Sequence, residues 1–482
     1  MKSPIKNLII NSAGVVSTSA ITFLMVPVYT KTFGVETYAI FATWIFVTAL
    51  LQFLDLGYST TIVKFSGFAD EKKLFSDRVV SFELIILLFL CIIIIFSLVF
   101  RLPDVGIYSS INSELGKYSL LIFLIPTLIF NLVKFYSFAF LAKGHFVIYN
   151  FVIVFSEILK QIGGFLILYF SSSWFYFFIY QFFTALVLYF GIKLLFKFMY
   201  CSSWIPSLKT VKESFLISFS FNSVILISAF IGALMSTFDR LVLSVNFTEK
   251  EIAYYSVCLI VAGVINMAIQ PFHRLSLPLF IEFFDKKKFK DLGNILISLS
   301  SLLSAISLSA GGLMIIYSEN YIPILLNDNI VDDVKILLVI LVFSFWSVAC
   351  GWLPSNLMQA AGLPNYQMLN MILALFLGGG ATVYFANLNI LWGVSAIWFV
   401  HGLIQLFLTP YLGSVKTQCF SFIKWFSTVV LRNLIVISFF SVVAVILKEK
   451  VGLFTSIIFY VLTSSLFVLI YLFGFKNVYS KI

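Results

Sequence analysis

Three basic side chains stand inside mainly apolar stretches, Lys134 in NLVKFYSF (131–138), Lys160 in FSEILKQIGG (155–164) and Arg274 in QPFHRLSLPLF (270–280), while Asp239 and Arg240 in FDRLV (238–242) sit toward the outer end of theirs, where ordinary interface residues are the alternative. A charge at bilayer depth costs a few kcal/mol, so each must face protein, a partner or a water-filled cavity. Basic groups in such a cavity suit an anionic ligand, and a guanidinium grips phosphate oxygens in a bidentate way. Arg274 is the leading candidate, with Lys134 and Lys160 beside it, Arg240 from the second half, and Lys31 at the end of the first apolar stretch. Snorkelling or internal pairing is the alternative for the lysines.

The acidic counterparts are few. Asp55, Glu157 and Asp239 are candidates for coupling or for structural charge, and Glu83 is the other acidic group well placed for a cation-coupled cycle. Glu157 and Lys160 lie one helical turn apart, a spacing at which they neutralise each other. His401 can exchange a proton near neutral pH, although a lone helical histidine is more often a packing residue. Two amides sit in polar stripes: Asn11 with Asn7, Gly14, Thr18 and Thr22, and Asn222 with Ser218, Ala229, Ser236 and Arg240. Each stripe is either a cavity lining or a small-residue packing seam.

Other chemistry is missing. The sequence has no nucleotide-binding P-loop, zinc-protease helix, nucleophile elbow or dinucleotide fingerprint. Its five cysteines are scattered singly, with no metal or disulfide spacing. These readings argue for a protein that is not an enzyme and needs no metal or cofactor. Any transport would draw on a gradient, the membrane potential or removal of product.

The elements that position these groups follow from composition. The 482 residues are 61% hydrophobic and 11% charged, against roughly 25% charged in a soluble domain, so lipid is the main solvent. The net charge of +10 follows from basic cytoplasmic loops and is not a nucleic-acid signal. At about 20 apolar residues per crossing, the sequence predicts an all-α polytopic membrane protein. Fourteen helices are expected, near 7–30, 37–63, 79–100, 117–142, 147–170, 174–198, 213–240, 252–280, 293–317, 334–360, 366–386, 390–411, 428–447 and 452–474. Lys and Arg crowd the loops on the side of the termini, which predicts that both termini are cytoplasmic.

The chain also matches itself at an offset of about 217 residues, as transporters built from repeats do. Tyr38 aligns with Tyr255, and the turn FLAKGHFVIYN (140–150) with LMQAAGLPNYQ (357–367), Gly144 on Gly362. This predicts a lobe of helices one to six (1–200), a lobe of helices seven to twelve (201–412), and two appended helices (413–482). Short outer loops argue against a membrane glycosyltransferase or polymerase.

VYTKTFGVETYAIF (28–41) followed by FLDLGYSTTIVKF (53–65) resembles the opening of polysaccharide-exporting flippases. Pro27, Lys31, Phe33, Gly34, Tyr38, Asp55, Leu56 and Gly57 occupy the pattern's positions, and FDRLVLSVNFTEKEIAYYSV (238–257) is similar to a later family signature. The chain is identified as a member of the Wzx-type O-antigen and capsule branch of the multidrug, oligosaccharidyl-lipid and polysaccharide exporter superfamily. The resemblance implies a fourteen-helix, two-lobe fold in the bacterial cytoplasmic membrane. It also implies alternating-access transfer of an undecaprenyl-diphosphate-linked glycan to the outer leaflet, with H+ or Na+ as a coupling ion and the polysaccharide polymerase machinery as a partner beside membrane lipid. Helix one carries a basic residue only at its end, Lys31, a departure from the related lipid II flippases. A cation-coupled drug or small-solute antiporter of the same superfamily is the alternative.

Overall fold

A chain in lipid must satisfy its backbone hydrogen bonds within each crossing, which leaves helices as the solution for an apolar sequence of this kind. The computed structural model describes residues 4–51, 58–59, 62, 72–99, 115–200, 206, 208–326, 332–363 and 365–479. Its helices are α1 (Pro4–Phe33), α2 (Val35–Leu50), α3 (Lys72–Val99), α4 (Ser119–Ala142), α5 (Phe146–Ser171), α6 (Trp174–Tyr200), α7 (Leu208–Asn246), α8 (Glu249–Asp285), α9 (Phe289–Ile316), α10 (Asp332–Ala360), α11 (Asn365–Asn387), α12 (Trp392–Thr417), α13 (Phe422–Lys450) and α14 (Leu453–Tyr479), with a short helix Ser318–Leu326 after α9. Among the described residues, eleven helices are long and apolar enough to cross a membrane, and α1, α2 and α7 are not among them. The protein is all-α and polytopic.

The chain divides into two compact units, Met1–Ala253 and Tyr254–Ile482. In the first, α4 packs on α3, α5 and α6, and α1 packs on α2 and α5. Helix α7, which the sequence grouped with the later helices, packs against α2 and α3 and falls in this first unit. Its core is aromatic: Phe82, Phe135, Tyr136, Phe140 and Phe196 are buried between α3, α4 and α6. In the second unit α9 packs against α10, α13 and α14, and α10 against α12. There the seams are made of small residues, as between membrane helices generally. Ser300, Ser301, Ser304 and Ser307 of α9 are all buried.

Two turns share one geometry. Gly144 (φ +78°) closes α4 and Gly362 (φ +76°) closes α10. In both, the glycine N–H donates to the carbonyl three residues back, Leu141 or Gln359, and the next N–H reaches Phe140 or Met358. The left-handed conformation is what requires glycine. Gly144→Ala and Gly362→Ala are each expected to cost about 1–2 kcal/mol, read as a lowered unfolding temperature of the purified protein. Tyr38 and Tyr255, the other aligned pair, are both buried.

Among the described residues, four helices carry a π-helical turn: α5 at Leu159–Gly163, α11 at Ala374–Gly378, α12 at Ile404–Leu408 and α13 at Phe426–Leu431. Those in α5 and α11 lie about 215 residues apart and both end in runs of glycine, Gly163–Gly164 and Gly378–Gly380. An extra residue in the turn shifts the hydrogen-bond ladder and makes carbonyls available to side chains.

Candidate functional site

The π turn of α5 gathers polar side chains from three helices. Three successive carbonyls accept side-chain hydrogen bonds: Leu159 O from Tyr180 Oη (3.1 Å), Lys160 O from Gln181 Nε2 (2.9 Å) and Gln161 O from Tyr29 Oη (3.0 Å). Tyr29 comes from α1, while Tyr180 and Gln181 come from α6, so one irregular turn ties three helices together. Close approach needs the glycines at its end. A Cβ on Gly163 would lie 1.8 Å from Tyr180 Oη, and one on Gly164 would lie 2.6 Å from the Phe177 ring.

The turn also fixes two charges. Lys160 Nζ lies 2.5 Å from a Glu157 carboxylate oxygen, and Gln161 Nε2 donates to the other at 3.0 Å. The pair is neutral in sum and only partly covered, with Lys160 26% and Glu157 19% exposed. Lys160 stands 5.3 Å from the centroid of the Phe130 ring on α4, a cation–π contact. One turn along α4, Lys134 stands 6.0 Å from the Phe138 ring, and Phe138 meets Tyr149 of α5 edge-on at 5.6 Å. Phe130, Lys134 and Phe138 recur every four residues and are all half-buried, so they form one stripe on α4. The structure thus brings Lys134 and Lys160 to one partly accessible surface of alternating ammonium groups and aromatic faces. Ammonium groups supply hydrogen-bond donors for phosphate oxygens; aromatic faces pack against the apolar faces of sugar rings.

A second cluster is centred on a buried carboxylate. Glu83 of α3 is 1% exposed and accepts hydrogen bonds from Tyr136 Oη of α4 (2.7 Å), from Tyr189 Oη of α6, and from Lys193 Nζ of α6 (2.7 Å). Its partners are 53 to 110 residues away in sequence, so no local pattern marks them. Lys193, near the end of α6, is partly covered and closes the ion pair from outside.

The remaining candidates are dispersed. Asp239 is buried; it accepts from the Arg240 backbone N–H at 2.8 Å and lies 3.8 Å from the Arg240 guanidinium, which itself donates to Ser236 O at 2.7 Å. Lys31 is exposed at the end of α1. His401 of α12 is buried. Asp55 lies outside the described residues, as do the side chains of Asn11, Asn222 and Arg274. Of the described members of the α1 stripe, Gly14 packs against α5, where a Cβ would lie 2.0 Å from Asn150 Oδ1, and the Thr18 and Thr22 hydroxyls donate to carbonyls one turn back in α1. Sequence reading missed Tyr29, Phe130, Tyr180 and Gln181, whose only advance signal was the Gly163–Gly164 pair beside Gln161.

A family model described as polysaccharide biosynthesis protein matches residues 5–284. No curated protein matches. Among solved structures, the fold is similar to a lipid II flippase MurJ in an inward closed conformation, at 15% identity and a TM-score of 0.69 over 97% of this chain and 98% of that one. It is also similar to a multidrug resistance MATE family transporter of the MOP superfamily. The inward-facing form gives 13% identity and a TM-score of 0.62 over 86% of this chain and 94% of that one. The outward-facing form gives 13% and 0.58 over 87% and 97%. At such identities the likeness is one of fold.

Proposed function

Since the chain belongs to the polysaccharide biosynthesis protein family, whose members are transporters and not enzymes, we propose that it is a lipid-linked oligosaccharide flippase of the bacterial cytoplasmic membrane. On this reading it is a Wzx-type protein with both termini cytoplasmic. Its fourteen crossings form two six-helix lobes plus a C-terminal pair. It transfers undecaprenyl-diphosphate-linked units for O-antigen or capsule to the outer leaflet by alternating access, coupled to H+ or Na+ and serving the polysaccharide polymerase.

The observation that carries this is the Lys160–Phe130–Lys134–Phe138 surface on α4 and α5. A diphosphate needs cations and the sugars need apolar faces, and both alternate here. Moving one unit charge against the potential costs about 2.3 kcal/mol per 100 mV, a burden that bound ammonium groups reduce. Arg274 adds a bidentate phosphate grip in the same proposal. The drug-antiporter reading asks for carboxylates open to a cation; among the described residues Glu83 is closed off by Lys193, Tyr136 and Tyr189.

The test is complementation of a deletion strain with the Lys134→Gln, Lys160→Gln double variant. At wild-type protein abundance, surface glycan is expected to fall at least tenfold while lipid-linked precursor accumulates. Unchanged glycan overturns the assignment. Unchanged glycan in the deletion strain itself, with increased drug susceptibility, favours the antiporter.

A further inference from the structure

The second unit contains a cavity of about 400 Å³ in the wedge between α10 and α13, floored by α9. This lies within the range of roughly 300–1,000 Å³ typical of ligand pockets. Its walls run from Ser307 to Ile315 on α9, from Val339 to Trp346 on α10, and from Leu434 to Val442 on α13. Eight residues of helix at 1.5 Å rise make the slot about 12 Å long and parallel to the helices. Val339 (44% exposed) and Val442 (59%) flank the mouth. Gly311 and Gly312 of the floor admit their neighbours closely: a Cβ on Gly311 would lie 2.6 Å from Val342 Cγ1 and one on Gly312 1.9 Å from Tyr460 Oη.

Dimensions decide what fits. A volume of about 400 Å³ spread along about 12 Å makes a slot narrower than a helix with its side chains. A helix with side chains is about 10–12 Å across, so neither a partner helix nor a second copy of this chain enters. One extended hydrocarbon chain does, its atoms meeting the walls at about 3.5–4.0 Å.

The slot also has a polar end. One turn beyond Val339 on α10 is Lys335, and less than two turns beyond Val442 on α13 is Lys448. Lys448 Nζ donates to Ile316 O at 3.2 Å, the last residue of α9. Glu319 lies between the two lysines, 3.0 Å from Lys335 and 3.9 Å from Lys448, and Asp332 lies 3.6 Å from Lys335. A head group belongs at this charged rim and a tail in the channel beneath it. We infer that the α9–α10–α13 slot binds one hydrocarbon chain of a membrane lipid, aligned with the helices and with its head at the Lys335–Glu319–Lys448 rim.

Trp346, only 1% exposed, lines the slot and reports on its occupant. The protein is reconstituted in phosphatidylglycerol bilayers with acyl chains brominated at mid-length, since bromine quenches indole emission on contact. Trp346 is one of eight tryptophans, so the wild type is expected to lose about one-eighth of its emission beyond the loss in Trp346→Phe. Ser438→Phe, which fills the channel, and Val442→Phe, which narrows its mouth, are expected to abolish that difference. Native mass spectrometry keeps the claim testable if one variant misfolds: one lipid should survive delipidation on the wild type and be lost from whichever filled variant folds. Equal quenching in wild type and Trp346→Phe, or lipid retained by a folded filled variant, overturns the inference.

Discussion

Glu83→Leu is expected to destabilise the protein by about 3–5 kcal/mol, the cost of stranding a buried charge. The substitution removes the acceptor for the Lys193 ammonium, whose side chain is only 16% exposed, and for the hydroxyls of Tyr136 and Tyr189. The unfolding temperature of purified protein should fall sharply and abundance with it. The double variant Glu83→Leu, Lys193→Met should recover most of the loss, because removing both charges leaves no uncompensated ion. If the double variant is no more stable than Glu83→Leu alone, Lys193 is not the charge that Glu83 serves. Glu83→Gln should lie between, since an amide still accepts from the tyrosines but carries no charge.

The second large effect concerns the α10–α12 seam. A Cβ on Gly351 would lie 2.2 Å from the backbone O of Gln405 and 2.8 Å from its carbonyl carbon. Backbone cannot swing aside as a side-chain end can, so Gly351→Ala must push the helices apart, an overpacking cost of about 1–3 kcal/mol. Gly380 of α11 is the control. A Cβ there meets nothing within 4 Å, so Gly380→Ala should be neutral or stabilising by up to about 1 kcal/mol through helix propensity. Unfolding temperatures moving in opposite directions would bear out the seam. Gly351→Ala behaving like Gly380→Ala would show that α10 and α12 are not this close.

Both effects arise from contacts between segments far apart in the chain, and this marks the limit of sequence reading here. Glu157 and Lys160 were legible as a pair because three residues of helix always bring side chains together. Gly144 and Gly362 were legible as equivalent turns because a left-handed residue leaves a local signature. Glu83 was visible only as an acidic residue in an apolar run, because its partners are set by how α3, α4 and α6 pack. Lys134 and Lys160 were singled out by type, yet nothing in the sequence said that Phe130 of α4 would lie against Lys160 of α5.

What the sequence determined alone was the class of solution. Apolar segments of crossing length in a chain with few charges must become helices in lipid, because no water is there to satisfy the backbone, and the opening motif pointed to the superfamily. What the tertiary structure decided was which buried charges became partners and where helices came close enough to touch. Those outcomes depend on helix rotation and on the π turns that re-aim carbonyls, as at Leu159–Gly163. A shift of one residue in such a turn moves every following side chain to a new face, and only the assembled packing fixes it.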